Sequence, residues 1–207
     1  MANIQHKDIP DAQRHEPKGI STASANQLYM SDGSASGSWV AASRMAGTGW
    51  AQYSNTTYVG TNALGITSTE VLIPFTTAVS EAQLPISLAG ATPSNLFNTS
   101  TSTLNFVAAG DLHVVTLAFE NYSTSGSPAY IDMTMYGSSD GSTYSTVLGK
   151  KTIPVLKSGG GQHFVETSLF PVTANMVSYG ARIYLSTNAT VNIINLGLIT
   201  GRVHRAR

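Results

Sequence analysis

From about residue 61 onward the chain alternates. Tyr130-Ile131-Asp132-Met133-Thr134-Met135-Tyr136 puts Ile131, Met133 and Met135 on one side, the period-two pattern of a half-buried strand. Val177, Tyr179, Ala181, Ile183 and Leu185 alternate in the same way and predict another strand. Leu112 to Phe119 is apolar on both faces, with Leu112 and Val114 against Val115, Leu117 and Phe119. Such a strand is expected to be covered twice, once by its own core and once by a symmetry mate. Val191 to Ile199 is as dense. Asn192 and Asn195 interrupt it, and Gly197 marks a bulge or a close backbone approach. Further strands are expected at Glu70–Phe75, Thr103–Val107, Gly149–Leu156 and Gln162–Phe170, with Pro74, Pro154 and Pro171 at strand ends or edges. No helix is predicted, since Glu81 to Leu84 is short and is stopped by Pro85. Many short strands between Gly, Ser and Asn turns predict an all-β fold, a jelly-roll-like sandwich occupying residues 61–207.

The pattern fails before that point. Residues 1–20 have neither a helical nor a strand period, mix charges of both signs and carry Pro10 and Pro17, which push Ile9 and Glu16 toward extended geometry. This reads as an extended arm that lies against another protein. Residues 21–60 are rich in Ser, Ala and Gly. Within them Gln27–Met30 and Ser38–Ala41 flank an Asp32-Gly33 turn and predict a small β-hairpin, with Tyr29 and Trp39 in need of a surface to bury against. Arg44 to Trp50 reads as a linker carrying an aromatic plug.

Composition narrows the class. Charged residues are 11% of the chain, against roughly 25% in an average soluble domain, and Ser and Thr make up about a quarter. Cys is 0, so no disulfide or thiolate metal site can form and stability must come from packing and assembly. The formal net charge of +0 gives no electrostatic reason to expect a nucleic-acid partner. No run approaches the roughly 18 apolar residues of a membrane span, and the N-terminus lacks a secretory apolar core, so synthesis in a cytoplasm is expected. Arg202, Arg205 and Arg207 crowd the C-terminus, either as a solvated tail or as a contact with an acidic neighbour.

Candidate chemistry is sparse. Asp111 and His113 share a strand face, and a strand-end aspartate with a hydrogen-bonded histidine is the expected reading rather than a metal pair. His163 and Glu166 sit three apart and face opposite ways on a strand. Ser158 to Gly161 lacks the Lys-Ser/Thr of a phosphate loop. Asp111, Glu120, Asp132 and Glu166 are the acids from which a glycosidase pair would have to be drawn. The expectation is a protein without enzymatic activity, cofactor or metal. Ser139 to Tyr144 reads as a tight Asp-Gly turn. Its sharper reading is a distal loop in which Asp140, Gly141 and Tyr144 touch a host glycan.

Ile9-Pro10-Asp11-Ala12-Gln13-Arg14-His15-Glu16-Pro17-Lys18-Gly19, followed by Gln27 to Gly33 and Ser36 to Trp39, resembles the N-terminal segment of head-fibre or capsid decoration proteins of tailed bacteriophages. Related leaders occur on some phage tail-fibre proteins. The likeness covers about the first forty residues, and the basic close Gly201 to Arg207 is similar to the ends of such chains. Where related leaders often carry Leu, this chain has Arg14. The resemblance implies a trimeric β body displayed outward on the capsid exterior of a virion, with the major capsid protein as partner. It implies docking through Ile4, Ile9, Pro10, Asp11, Arg14, His15, Glu16, Pro17 and Lys18 of the arm, and through Tyr29 and Trp39 of the hairpin. The alternative it leaves open is a short tail fibre or adaptor that binds host surface glycans.

Overall fold

Two antiparallel sheets face each other across a core of aliphatic and aromatic side chains in the body of the protein. The computed structural model describes residues 27–31, 37–41, 48–85, 93–123, 129–155 and 161–204. They belong to two units, Met1–Ala46 and Gly47–Arg207. In the first, β1 (Gln27–Ser31) and β2 (Gly37–Ala41) form the expected antiparallel hairpin, with Tyr29 opposite Trp39. Their rings meet edge-on, centroids 5.4 Å apart, an arrangement favoured by the ring quadrupoles.

The second unit contains β3 (Gly49–Ser54), β4 (Leu64–Ile66), β5 (Val71–Leu72), β6 (Thr77–Gln83), β7 (Phe97–Asn98), β8 (Thr103–Leu104), β9 (Leu112–Ser123), β10 (Ala129–Ser138), β11 (Tyr144–Val155), β12 (Gln162–Pro171), α1 (Ala174–Tyr179), β13 (Ala181–Thr187) and β14 (Val191–His204). The first sheet runs β12-β9-β14-β3-β6, and β4 also pairs with β14. The second runs β11-β10-β13-β8-β7, and β5 also pairs with β13. From β9 on, the chain crosses between sheets at every connection except the β10–β11 hairpin. The body's first long strand, β3, lies beside its last, β14. That winding is the double Greek key of a jelly roll, so the all-β, jelly-roll fold read from the pattern is the fold observed.

Inward positions obey the alternation. Ile131, Met133 and Met135 on β10, Val115, Leu117 and Phe119 on β9, and Ile183 and Leu185 on β13 are buried. Pro154 and Pro171 lie on β11 and β12, the edge strands of their sheets, where a missing N–H leaves no ladder bond broken. The bulge expected near Gly197 is present: the β14–β9 register shifts between Ile194 and Gly197, and Asn195 takes φ 54.

Three readings need correction. The compact body begins at Gly47, not 61, because the 21–60 segment, expected to hold only a hairpin and linker, contains β3, whose Ala51 and Tyr53 are buried in the core. Tyr53 is fixed there as its hydroxyl donates to Glu81 and accepts from the amides of Leu96 and Phe97. The strand expected from Val177 to Leu185 is split. Thr173 caps α1 by accepting from the Met176 amide, and Gly180 ends it at φ 76, where a Cβ would meet the Leu104 carbonyl at 2.5 Å. Strands expected at Glu70–Phe75 and Thr103–Val107 shrink to two-residue pairings.

Candidate functional site

The first sheet has one face on the core and one that no described residue covers. On β12 the residues turned outward are His163, Val165, Thr167, Leu169 and Pro171, and on β9 they are Leu112, Val114, Thr116, Ala118 and Glu120. β14 contributes Gly197, Ile199, Gly201 and Val203, and β3 contributes Trp50, Gln52 and Ser54. The register aligns them in rows across the sheet: Leu169–Val114–Gly201–Trp50, then Thr167–Thr116–Ile199–Gln52, then Val165–Ala118–Gly197–Ser54. Among the described residues these rows hold no charged side chain. Their polar groups are matched in part by the Thr116–Thr167 hydroxyl contact at 2.9 Å. Val165 is 70% exposed, Leu169 61% and Trp50 42%. Charge begins only at the far margin, where Glu120 accepts from Asn195 at 3.0 Å and lies 3.9 Å from His163. The double coverage expected of β9 is thus half supplied within one chain: its inner residues are buried and its outer ones partly exposed.

Seven residues of strand by four strands is a footprint of roughly 24 Å by 19 Å, on the order of 450 Å². Val165, Leu169, Ile199 and Trp50 supply its exposed apolar side chains, and Thr116, Thr167, Gln52 and Ser54 its uncharged polar ones. Exposed apolar side chains gathered on one uncharged face mark a contact surface. Gly201 explains how β3 lies so close to β14. A Cβ there would meet the Gly49 carbonyl at 2.5 Å and the Trp50 Cβ at 2.9 Å.

Beside the face, the sandwich is open between edge strands β11 and β12. A cleft of about 290 Å³ lies there, floored by Val115, Met133, Met135, Phe170 and Ile183. Lys151 and Glu166 form an ion pair of 3.1 Å that joins the two edges. Lys150 pairs with Asp132 at 3.0 Å, and Thr152 also donates to Asp132. Those two contacts, the hydroxyl foremost, hold the Asp132 carboxyl below the usual range.

A buried polar cluster lies under the end of the first sheet where β3 begins. Arg202 and Asp111 form an ion pair of 3.1 Å with neither side chain exposed to solvent. Arg202 therefore belongs to the core rather than to a solvated tail, and its acidic neighbour comes from the same chain. His113, opposite Arg202 on β9, is fully buried and edge-on to Phe106 at 5.1 Å. The hydrogen bond expected of His113 is not made: neither ring nitrogen has a partner. Burial, reinforced by Arg202 and opposed by Asp111, pushes its imidazole down to about 4. The acids weighed as a glycosidase pair each have their own partner: Asp111 with Arg202, Glu120 with Asn195, Asp132 with Lys150 and Glu166 with Lys151.

The structure brings Asp140, Gly141 and Tyr144 together as a rigid turn. Asp140 accepts from the amides of Ser142 and Thr143, both at 2.8 Å, and from the Ser138 hydroxyl at 3.0 Å, so its carboxyl is held well below the usual range. Gly141 has φ 78, and a Cβ there would meet the Tyr179 ring at 3.1 Å. The Tyr144 hydroxyl donates to the Tyr179 carbonyl at 2.7 Å, and Arg182 covers one face of the Tyr144 ring at 4.1 Å. Strand β9 leaves the end of the sandwich marked by Gly49 and Arg202, β10 returns to it, and the turn after β10 lies at that same entry end. The docking residues Ile4, Ile9, Pro10, Asp11, Arg14, His15, Glu16, Pro17 and Lys18 lie outside the described residues, as do Arg205 and Arg207. The sequence predicts a second apolar face on β9 for a symmetry mate and an aromatic plug at Trp50, but that Trp50 and β12 extend the same face appears only once strand order is known.

No family model matches the sequence, and no curated protein does. Among solved structures the chain is similar to the Eiger TNF of S. frugiperda, at TM-score 0.46 and 7% identity over 77% of this chain and 95% of that one. It is also similar to the PRD1 vertex protein P5, at TM-score 0.45 and 12% identity over 88% and 84%. Both likenesses are remote, and the fold assignment stands on the strand topology.

Proposed function

We propose that this chain is a non-enzymatic structural component of a tailed-bacteriophage particle. In this reading it is a homotrimer whose jelly-roll bodies meet through the bare face of the β12-β9-β14-β3 sheet, and whose N-terminal arms dock on the major capsid protein at the capsid exterior. The uncharged outer face, with Val165, Leu169, Ile199 and Trp50 exposed, carries the reading. A second copy is the occupant that leaves no charge unpaired across it. The leader resemblance supplies the particle.

The fold supports the division of labour. Gly49 opens β3 at one end of the sandwich. Cyclic symmetry keeps equivalent atoms at one height along the axis, so the three β3 starts lie at one level. The arm has few apolar side chains, among them Ile4, Ile9 and Ile20, so its hold must draw on backbone hydrogen bonds and on linkage of three arms in one molecule. Contact bridging neighbouring capsomers raises the barrier to their separation, which is the cementing role. The test is partition: the chain should sediment with tail-free heads, and removal of residues 1–20 should abolish its occupancy. Recovery on tails alone transfers the chain to the tail-fibre alternative, and undiminished occupancy without the arm overturns the docking mechanism.

A further inference from the structure

The two flanks of the bare face are unlike. On the β3 side, one strand in from the β6 edge, Trp50 is 42% exposed and stands next to Gly201, so a bulky indole rises beside a position with no side chain. On the β12 flank Leu169, 61% exposed, lies on an edge strand with the cleft of about 290 Å³ behind it. Between them β14 offers only Gly197 and Gly201 in two of the three rows. One flank is a ridge, and the other is a ledge with a hollow. Such surfaces complement each other rather than themselves, which is the condition for a head-to-tail contact that closes into a ring.

Area and charge point the same way. A flat footprint on the order of 450 Å² is small enough for the contact to run past the rows, and the β12 edge with its cleft is the surface continuous with them. The described ions lining that cleft are already matched, Lys151 with Glu166 at 3.1 Å and Lys150 with Asp132 at 3.0 Å, so a neutral neighbour can cover them without stranding a charge. Tryptophan is also the residue type most enriched among interface anchors.

Resting on the homotrimer reading above, we infer that the β3 flank of one copy packs on the β12 edge of the next, with Trp50 seated against Leu169 at the mouth of the cleft. Each copy then contributes a ridge to one neighbour and a ledge to the other.

The chain contains no cysteine, so cross-linking can test this on the full protein. Trp50→Cys and Leu169→Cys are made singly and together, and treated with a bismaleimide too short to span the three strand spacings, about 14 Å, that separate the two positions within one copy. The double variant should give covalent dimers and trimers on a denaturing gel, and each single variant only monomers. Dimers from either single variant mean that like flanks meet and overturn the inference. So does a double variant that stays uncross-linked while light scattering finds a trimer. A monomer by light scattering in the unmodified protein defeats the homotrimer reading itself, a separate outcome.

Discussion

His113 makes the body acid-sensitive in a calculable way. The side chain is fully buried and both ring nitrogens are unpartnered. Folding therefore holds it neutral, with its pKa at about 4 against an ordinary 6.5. Between those values the unfolded chain carries the proton and the folded chain does not. Stability is thus complete above pH 6.5 and is lost as pH falls toward 4. At about 1.4 kcal/mol per pH unit the full loss is about 3 kcal/mol. By pH 5 about 2 kcal/mol of it is gone. Replacing the imidazole by a ring that cannot titrate, His113→Phe, keeps an aromatic edge against Phe106 and removes the proton site. Urea unfolding of both proteins at pH 7.5 and pH 5 supplies the comparison. The parent should lose about 2 kcal/mol more than the variant over that interval. Asp132 and Asp140 hardly contribute there, because their lowered pKa values make them lose stability only as pH falls below about 4. Equal losses in the two proteins would refute the assignment, as would a parent whose stability does not change.

Other substitutions probe the same frame. Removing one member of the buried pair, by Asp111→Asn or Arg202→Met, should destabilise the body by about 3–5 kcal/mol in urea, whereas Asp111→Leu combined with Arg202→Met should recover most of that loss. Asn121 is fully buried with its amide oxygen and nitrogen both unpartnered, so Asn121→Leu should raise the urea midpoint, by about 1–3 kcal/mol in stability. Gly201→Ala should lower stability by about 1–3 kcal/mol, since its Cβ would meet Gly49 and Trp50 under 3 Å, and calorimetry would register the drop. Gly149→Ala is its control: it has open space at the Cβ position and should leave the melting temperature nearly unchanged.

Alternation alone determined the class of this protein and the course of its long strands. β9, β10, β12 and β14 lie where period two or unbroken apolarity put them, because a residue's face on a strand is fixed by its parity. The prolines fell on edge strands for an equally local reason, the absent N–H. Where two local signals compete, alternation alone points the wrong way. Val177 and Tyr179 fit the strand beyond them, yet Thr173 and Gly180 bracket a helix that caps at both ends. The glycines before Trp50 suggested a linker, yet Ala51 and Tyr53 alternate as a core strand.

The rest required the third dimension. Asp111 and Arg202 are 91 residues apart, and nothing in either neighbourhood announces the other. The turn at Asp140 is legible as a turn, but which end of the sandwich it occupies follows from counting crossings between sheets. Parity tells which residues share a face of one strand. It does not tell which strands lie side by side, so the bare face, its unlike flanks and the cleft beside them exist only once β12, β9, β14 and β3 are laid edge to edge.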